Sequence, residues 1–179
     1  MRAGGALVYT PRVMWGRVRG IAFLVGVLLC SSAFGLDVGA PAPSFANPHI
    51  NGTYLMSKNV FGKGWVLLDF FATDCEPCKK ELPELQKMVD EFGPKGFVVL
   101  IIATDPQGVL LVKPFVESQK VGLPLVIDRY RVTTERYGVT LIPSVFLVDP
   151  KGAIAFKAEG YTETTLEQIR GILASKLSP

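Results

Sequence analysis

Histidine is almost missing from this 179-residue chain, where His49 stands alone. A zinc site takes four ligands, and one histidine in a proline-rich segment gives no start on such a set. Metal binding is therefore not expected. Cysteine is sparse too, with Cys30, Cys75 and Cys78 making the full count. Acidic residues are absent from the first 36 positions, which hold Arg2, Arg12, Arg17 and Arg19. From Leu36 onward fifteen bases face sixteen acids, a net charge of −1. The positive excess of the chain thus belongs to its N-terminus, and a basic nucleic-acid binder is excluded as the default. The chain contains no internal repeat and no low-complexity tract.

The N-terminal stretch has the layout of an export signal. Arg17 and Arg19 precede an apolar run from Ile21 to Leu29, and Ala33 and Gly35 are the small residues of a cleavage site before Leu36. The apolar run to Phe34 is 14 residues long, short of the ~20 that span a bilayer. Residues 1–35 are expected to be a signal peptide, with a short uncleaved anchor as the alternative. Lipidation of Cys30 is disfavoured because Leu29, not a small residue, precedes it. Met14 would give a more ordinary n-region than Met1. Residues 36–179 then form one domain, large enough to bury ~68–70% of its unfolded surface. Export places Cys75 and Cys78 where disulfides persist.

Along that domain, Leu36 to His49 is rich in proline and predicts an irregular lead-in with an edge strand near Phe45. Asn51-Gly52 marks a turn. Val66 to Phe71 and Phe97 to Ala103 are apolar runs too continuous for strands with one wet face, so both predict buried strands. A helical pattern follows the Cys75–Cys78 motif through Leu82, Leu85, Met88, Val89 and Phe92, halted by Gly93-Pro94, and Val109 to Lys120 can form another helix. Leu125 to Ile127 predicts a strand, and Thr133 to Tyr137 a short helix closed by Gly138. Val145 to Val148 and Ile154 to Phe156 flank the hairpin turn Asp149-Pro150-Lys151-Gly152. Thr164 to Leu177 is the last amphipathic helix, with Thr164 and Thr165 near its cap. The order is that of an α/β domain with a mixed sheet.

The strongest chemical signal is Cys75-Glu76-Pro77-Cys78 at a strand-to-helix junction. A first cysteine at a helix N-terminus meets orphan N–H groups and the positive end of the dipole, which favour its thiolate. The second lies one turn on, within reach of a mixed disulfide formed by the first. Pro77 suits the first helical turn because it has no N–H to lose. A purely structural disulfide is the weaker reading, since closing so short a loop gains only about 2 kcal/mol.

The segment from Val66 to Pro83, with its Cys-Glu-Pro-Cys centre, resembles the active site of thioredoxin-like proteins, and most of all exported thiol–disulfide oxidoreductases of the TlpA/ResA type. Tyr137 to Asp149 resembles the family's cis-proline segment, with Pro143 as that proline. The resemblance implies a thioredoxin fold, a central mixed sheet flanked by helices. The 65 residues from Cys78 to Pro143 further imply an extra βα-type insertion between the CxxC helix and the cis-proline, within Phe97 to Asp128.

It also implies roles. Cys75 would be the nucleophile and Cys78 the resolving thiol. Asp69, inside an apolar strand, and Glu81, three residues beyond Cys78, are candidate proton acceptors for Cys78. Glu76, Pro77, Ile142 and Pro143 would meet the substrate, with the Ile142 backbone free to pair with it. Asp74 stands where the family usually has Trp. Together with Glu76 it surrounds Cys75 with negative potential, which disfavours the thiolate and suits a reductant. No cofactor is implied.

The expected activity is extracytoplasmic, most simply periplasmic, reduction of disulfides in exported proteins such as apocytochrome c. Electrons would come from a membrane thiol carrier of the CcdA/DsbD kind. A disulfide oxidase or isomerase is the first alternative. A copper-delivery module of the SCO type is disfavoured because His49 comes too early. A thiol peroxidase is disfavoured because Leu68 and Ala72 replace the Pro and Thr of the peroxiredoxin motif.

Overall fold

The proline-rich lead-in gains its order from the rest of the chain. In the computed structural model, which describes residues 36–178, Gly39 and Ala42 donate their N–H groups to the C=O groups of Ile154 and Gly152. Phe45 is buried, and the strand expected near it is β1 (Ala46–Pro48), paired antiparallel with β2 (Tyr54–Met56) in a two-stranded sheet. The turn between them is the expected one: Asn51 Oδ1 accepts the Thr53 N–H at 3.0 Å. His49 is half-buried, and its Nδ1–H donates to the Leu125 C=O at 2.8 Å, fastening the hairpin to the larger sheet. The proposed leader, Cys30 and the choice between Met1 and Met14 lie outside the described residues.

The larger sheet has five strands. β3 (Trp65–Phe71) is buried at every residue and lies at the centre, parallel to β4 (Phe97–Ala103) and antiparallel to β6 (Ser144–Val148). β5 (Leu125–Ile127) extends the sheet beyond β4, and β7 (Ile154–Glu159) beyond β6, so the order is β5-β4-β3-β6-β7. The sheet is mixed, and both apolar runs are strands buried as their composition requires, apart from exposed Val98 near the start of β4. The hairpin turn between β6 and β7 is closed by Asp149, whose Oδ1 accepts the N–H groups of Lys151 and Ala153.

Helices cover both faces. α1 (Glu76–Phe92) follows β3, α2 (Val109–Gln119) lies between β4 and β5, α3 (Val132–Arg136) precedes β6, and α4 (Glu163–Leu177) ends the fold. The α2–β5 pair is the extra unit, and it falls inside Phe97 to Asp128. A single 3-10 turn (Gly93–Lys95) follows α1 before the left-handed Gly96 leads into β4. The cap of α4 is Thr162, which accepts the Thr165 N–H at 3.0 Å, rather than Thr164 or Thr165. Among the described residues, no helix is long and apolar enough to cross a membrane.

Side chains alternate along β3 and so sort into two cores. Trp65, Leu67 and Phe71 pack with Leu85, Met88, Leu166, Ile169 and Leu173 from α1 and α4. Val66, Leu68 and Phe70 pack with Tyr137, Phe146 and Val148 on the opposite face. Asp69 shares the parity of Leu67 and Phe71, so it belongs to the face that α1 covers.

Candidate active site

β3 ends at Phe71, and three residues separate it from Cys75, the residue before α1. The Cys75 N–H donates to the Ala72 C=O at 3.1 Å, which closes this connection into a tight turn. Cys75 is the N-cap of α1, with extended backbone, and its Sγ accepts the Cys78 N–H at 3.3 Å. A negative sulfur at this place faces the unpaired N–H groups of the first helical turn. Pro77 occupies the first turn, as its lack of an N–H allows. Cys75 and Cys78 are joined by a disulfide with Cα atoms 5.3 Å apart.

The two sulfurs differ in access. Cys78 is fully buried (0% exposed), whereas Cys75 is half-buried. Only Cys75 can be met by a second protein without opening the core. On the outer side, Asp74 and Glu76 are exposed. Glu76 is not free, however: Lys79 Nζ lies 2.6 Å from its Oε1. That hydrogen bond, then the lysine's charge, hold the Glu76 carboxyl below its ordinary range. The pair offsets part of the negative potential that the sequence places around Cys75.

Behind the sulfurs the environment is closed. Glu81 is buried on the same face of α1 as Cys78 and Leu85. It and Asp69 meet between helix and sheet. Neither oxygen of Asp69 has a hydrogen-bond partner, nor has Glu81 Oε2. Burial raises the Asp69 carboxyl from an ordinary 3.8 to about 7. Glu81 rises from 4.5 to about 9, first through burial and then through the negative charge of Asp69. Burial shifts both carboxyls toward their protonated forms, and their titration belongs to the pair.

The proline segment reaches the same end of the sheet. Ser144 pairs with Phe70, so Pro143 lies across from Phe71, where β3 hands over to the cysteine turn. The Ile142–Pro143 bond is cis. Pro143 is buried and its C=O accepts the Gly160 N–H at 2.7 Å. Among the described residues, the main-chain N–H and C=O of Ile142 have no hydrogen-bond partner.

Sequence reasoning missed Asp105 and its partner Thr73 here. Asp105, read only as part of a turn, is 3% exposed. Its carboxylate accepts the Thr73 N–H and hydroxyl. An acid two residues after the wholly apolar stretch that ends at Ala103 was the available signal.

A CxxC disulfide capping a helix at the end of a central strand, beside a cis-proline, defines a thioredoxin-fold dithiol/disulfide exchange centre. The comparisons agree. The AhpC/TSA family model matches residues 38–157. Thiol-disulfide oxidoreductase ResA of Bacillus anthracis is 32% identical over 144 residues, covering 80% of each chain. ResA of Bacillus subtilis (strain 168) is 31% identical over 139 residues, covering 77% of this chain and 76% of its own. Among solved structures, a putative thiol:disulfide interchange protein DsbE from Chlorobium tepidum superposes with a TM-score of 0.75 at 27% identity. That match covers 80% of this chain and all of the other. The chain belongs to the AhpC/TSA family and, within it, to the ResA-like thiol–disulfide oxidoreductases.

Proposed function

We propose that the protein is an extracytoplasmic reductant of disulfides in exported proteins, apocytochrome c among them, exported by residues 1–35 and working as the domain 36–179. The observation that carries the mechanism is the unequal access of the two sulfurs, half-buried Cys75 before fully buried Cys78. In the reduced protein, the Cys75 thiolate attacks one sulfur of a substrate disulfide and expels the other as a thiolate. Cys78 then loses its proton, attacks Cys75 and releases the second substrate sulfur. The product is the Cys75–Cys78 disulfide, with two electrons passed to the substrate. A membrane thiol carrier of the CcdA/DsbD kind returns the protein to the dithiol by the same exchange.

Asp69 and Glu81 are the proposed acceptors for the Cys78 proton. No bulk water reaches that sulfur; the ionised member of the pair takes the proton, and Asp69, raised to about 7, is the carboxyl with an ionised fraction near neutral pH. Substrate is proposed to lie over Glu76 and Pro77 and to pair with the unbonded main chain of Ile142, with Pro143 fixing that segment. Exposed Asp74 supports the reducing direction by leaving the Cys75 thiolate less favoured.

The test is capture with Cys78→Ala, which stalls the reaction at the mixed disulfide. Exported proteins bound through Cys75 are the expected catch, and a catch without exported proteins overturns the reading. A reduction potential close to thioredoxin (about −270 mV) supports the reductant, and one near about −120 mV would assign an oxidase instead.

A further inference from the structure

We infer that Asp105 is a positioning residue for Cys75: its carboxylate fixes the turn that sets the nucleophilic sulfur on the N-terminus of α1. The inference rests on the proposal that Cys75 is the attacking thiol.

Only Ala72, Thr73 and Asp74 separate β3 from the helix cap, so the place of Cys75 depends on how this short turn is held. It is held from one side by the tail of β4. The Thr104 N–H and hydroxyl both donate to the Phe71 C=O, at 2.8 and 3.1 Å. Next to it, Asp105 Oδ1 accepts the Thr73 N–H at 3.0 Å and Oδ2 shares that donor at 3.3 Å. The Thr73 hydroxyl donates to Oδ1 as well. Asp105 is itself fixed from behind, since its C=O accepts the Gly108 N–H at 2.9 Å ahead of α2.

The cross-strand clamp therefore ends two residues before Cys75. Its placement matters because the benefit of a helix N-terminus to a thiolate is confined to the first turn and falls off as the sulfur moves away. A carboxylate that is 3% exposed and spent on one threonine is more than solubility requires, and nothing else in the site uses it. Asp128 offers a matched comparison. It is equally buried and accepts the N–H groups of Thr133 and Thr134, but it braces α3 and not the cysteine turn.

The test is the pH profile of iodoacetamide alkylation of the reduced protein, with the labelled cysteine identified by peptide mapping. In Asp105→Ala the Cys75 profile is expected to move up by about half a unit to one unit. That is a roughly 3- to 10-fold loss of rate below the thiol pKa. Asp105→Asn keeps an acceptor for Thr73 and is expected to stay within about two-fold of the native rate. Asp128→Ala should lower the unfolding midpoint and leave the profile in place. Thr73→Val removes one of the donors and should give a smaller shift in the same direction, which keeps the question answerable if Asp105→Ala does not fold.

An unchanged profile in both Asp105→Ala and Thr73→Val, or in Thr73→Val alone if the former fails to fold, overturns the inference. So does the same upward shift in Asp128→Ala. Labelling first at Cys78 would overturn the assignment of the nucleophile, which is a separate failure.

Discussion

Replacing Asp69 by Asn should change how stability depends on pH, and the sign follows from its burial. The carboxyl titrates near 3.8 in an unfolded chain and near 7 in the folded one. Between these values the folded protein binds a proton that the unfolded chain has released. Stability conferred by that proton is complete below the unfolded value, and it is lost as pH rises through the folded one. One proton gives a slope of about −1.4 kcal/mol per pH unit. Across pH 5 to 7 the share of Asp69 is at most about 3 kcal/mol.

The measurement is urea unfolding of the oxidised protein at pH 5, 6, 7 and 8, native beside Asp69→Asn. The disulfide keeps the cysteines from titrating. The mutant should lose up to about 1.4 kcal/mol per unit of downward slope and gain on the native protein toward pH 7. In thermal unfolding, a difference of this size corresponds to about 6–12 °C at pH 7 for a domain of this length. Curves that stay parallel from pH 5 to 8 would refute the reasoning. They would mean that Asp69 is solvated, or that water satisfies the oxygens that lack protein partners.

Three further outcomes follow from other parts of the fold. Phe70 is fully buried and packs against Tyr137 and Phe146 at centroid distances of 5.5 and 5.8 Å, so Phe70→Ala should lower stability by about 3–5 kcal/mol in urea unfolding. Thr162→Ala removes the cap of α4 and should lower it by about 1 kcal/mol. Glu76→Gln breaks an exposed pair with Lys79. It should leave the unfolding midpoint in place while moving the Cys75 alkylation profile down by less than about half a unit, because the lysine then faces the cysteine end of the helix without its counter-charge.

Much of this fold was legible because burial on both faces leaves a mark on composition. Val66 to Phe71 and Phe97 to Ala103 could only be central strands, and the observed bounds differ by at most one residue. The β1–β2 hairpin was legible only in part. Its three-residue strands hold through contacts made far along the chain, with Asn47 Nδ2 donating to the Ile127 C=O and His49 to the Leu125 C=O. No local pattern encodes those partners. Thr162, Thr164 and Thr165 offer the same hydroxyl as a cap, and the geometry of the preceding turn chooses among them. At the site, the cysteine pair and Asp69 were legible as interruptions of a pattern. The opposition of Asp69 to Glu81 was not, because strand parity and helix rotation fix it jointly. Asp105 was hidden because an Asp-Pro sequence has a sufficient explanation as a turn.

The arrangement separates two demands that the chemistry makes of one disulfide. Attack on a substrate requires an accessible sulfur whose thiolate is neither too scarce nor too stable. Resolution requires the other thiol to lose a proton without water beside it. In the proposed mechanism Cys75 answers the first demand from the helix cap, with Asp74 and the Glu76–Lys79 pair acting on it from solvent and Asp105, as inferred, holding its turn from the sheet. In that mechanism Cys78 answers the second on the inner face of α1, where the proposed acceptors are carboxyls that burial holds above their ordinary range. Charges on the outer side are screened and act weakly on the inner pair. The buried pair acts strongly on itself, as the rise of Glu81 next to Asp69 indicates. On the proposed roles, nucleophile acidity and proton release from the resolving thiol are set by different residues, so a substitution on the outer side should leave the inner pair's titration in place.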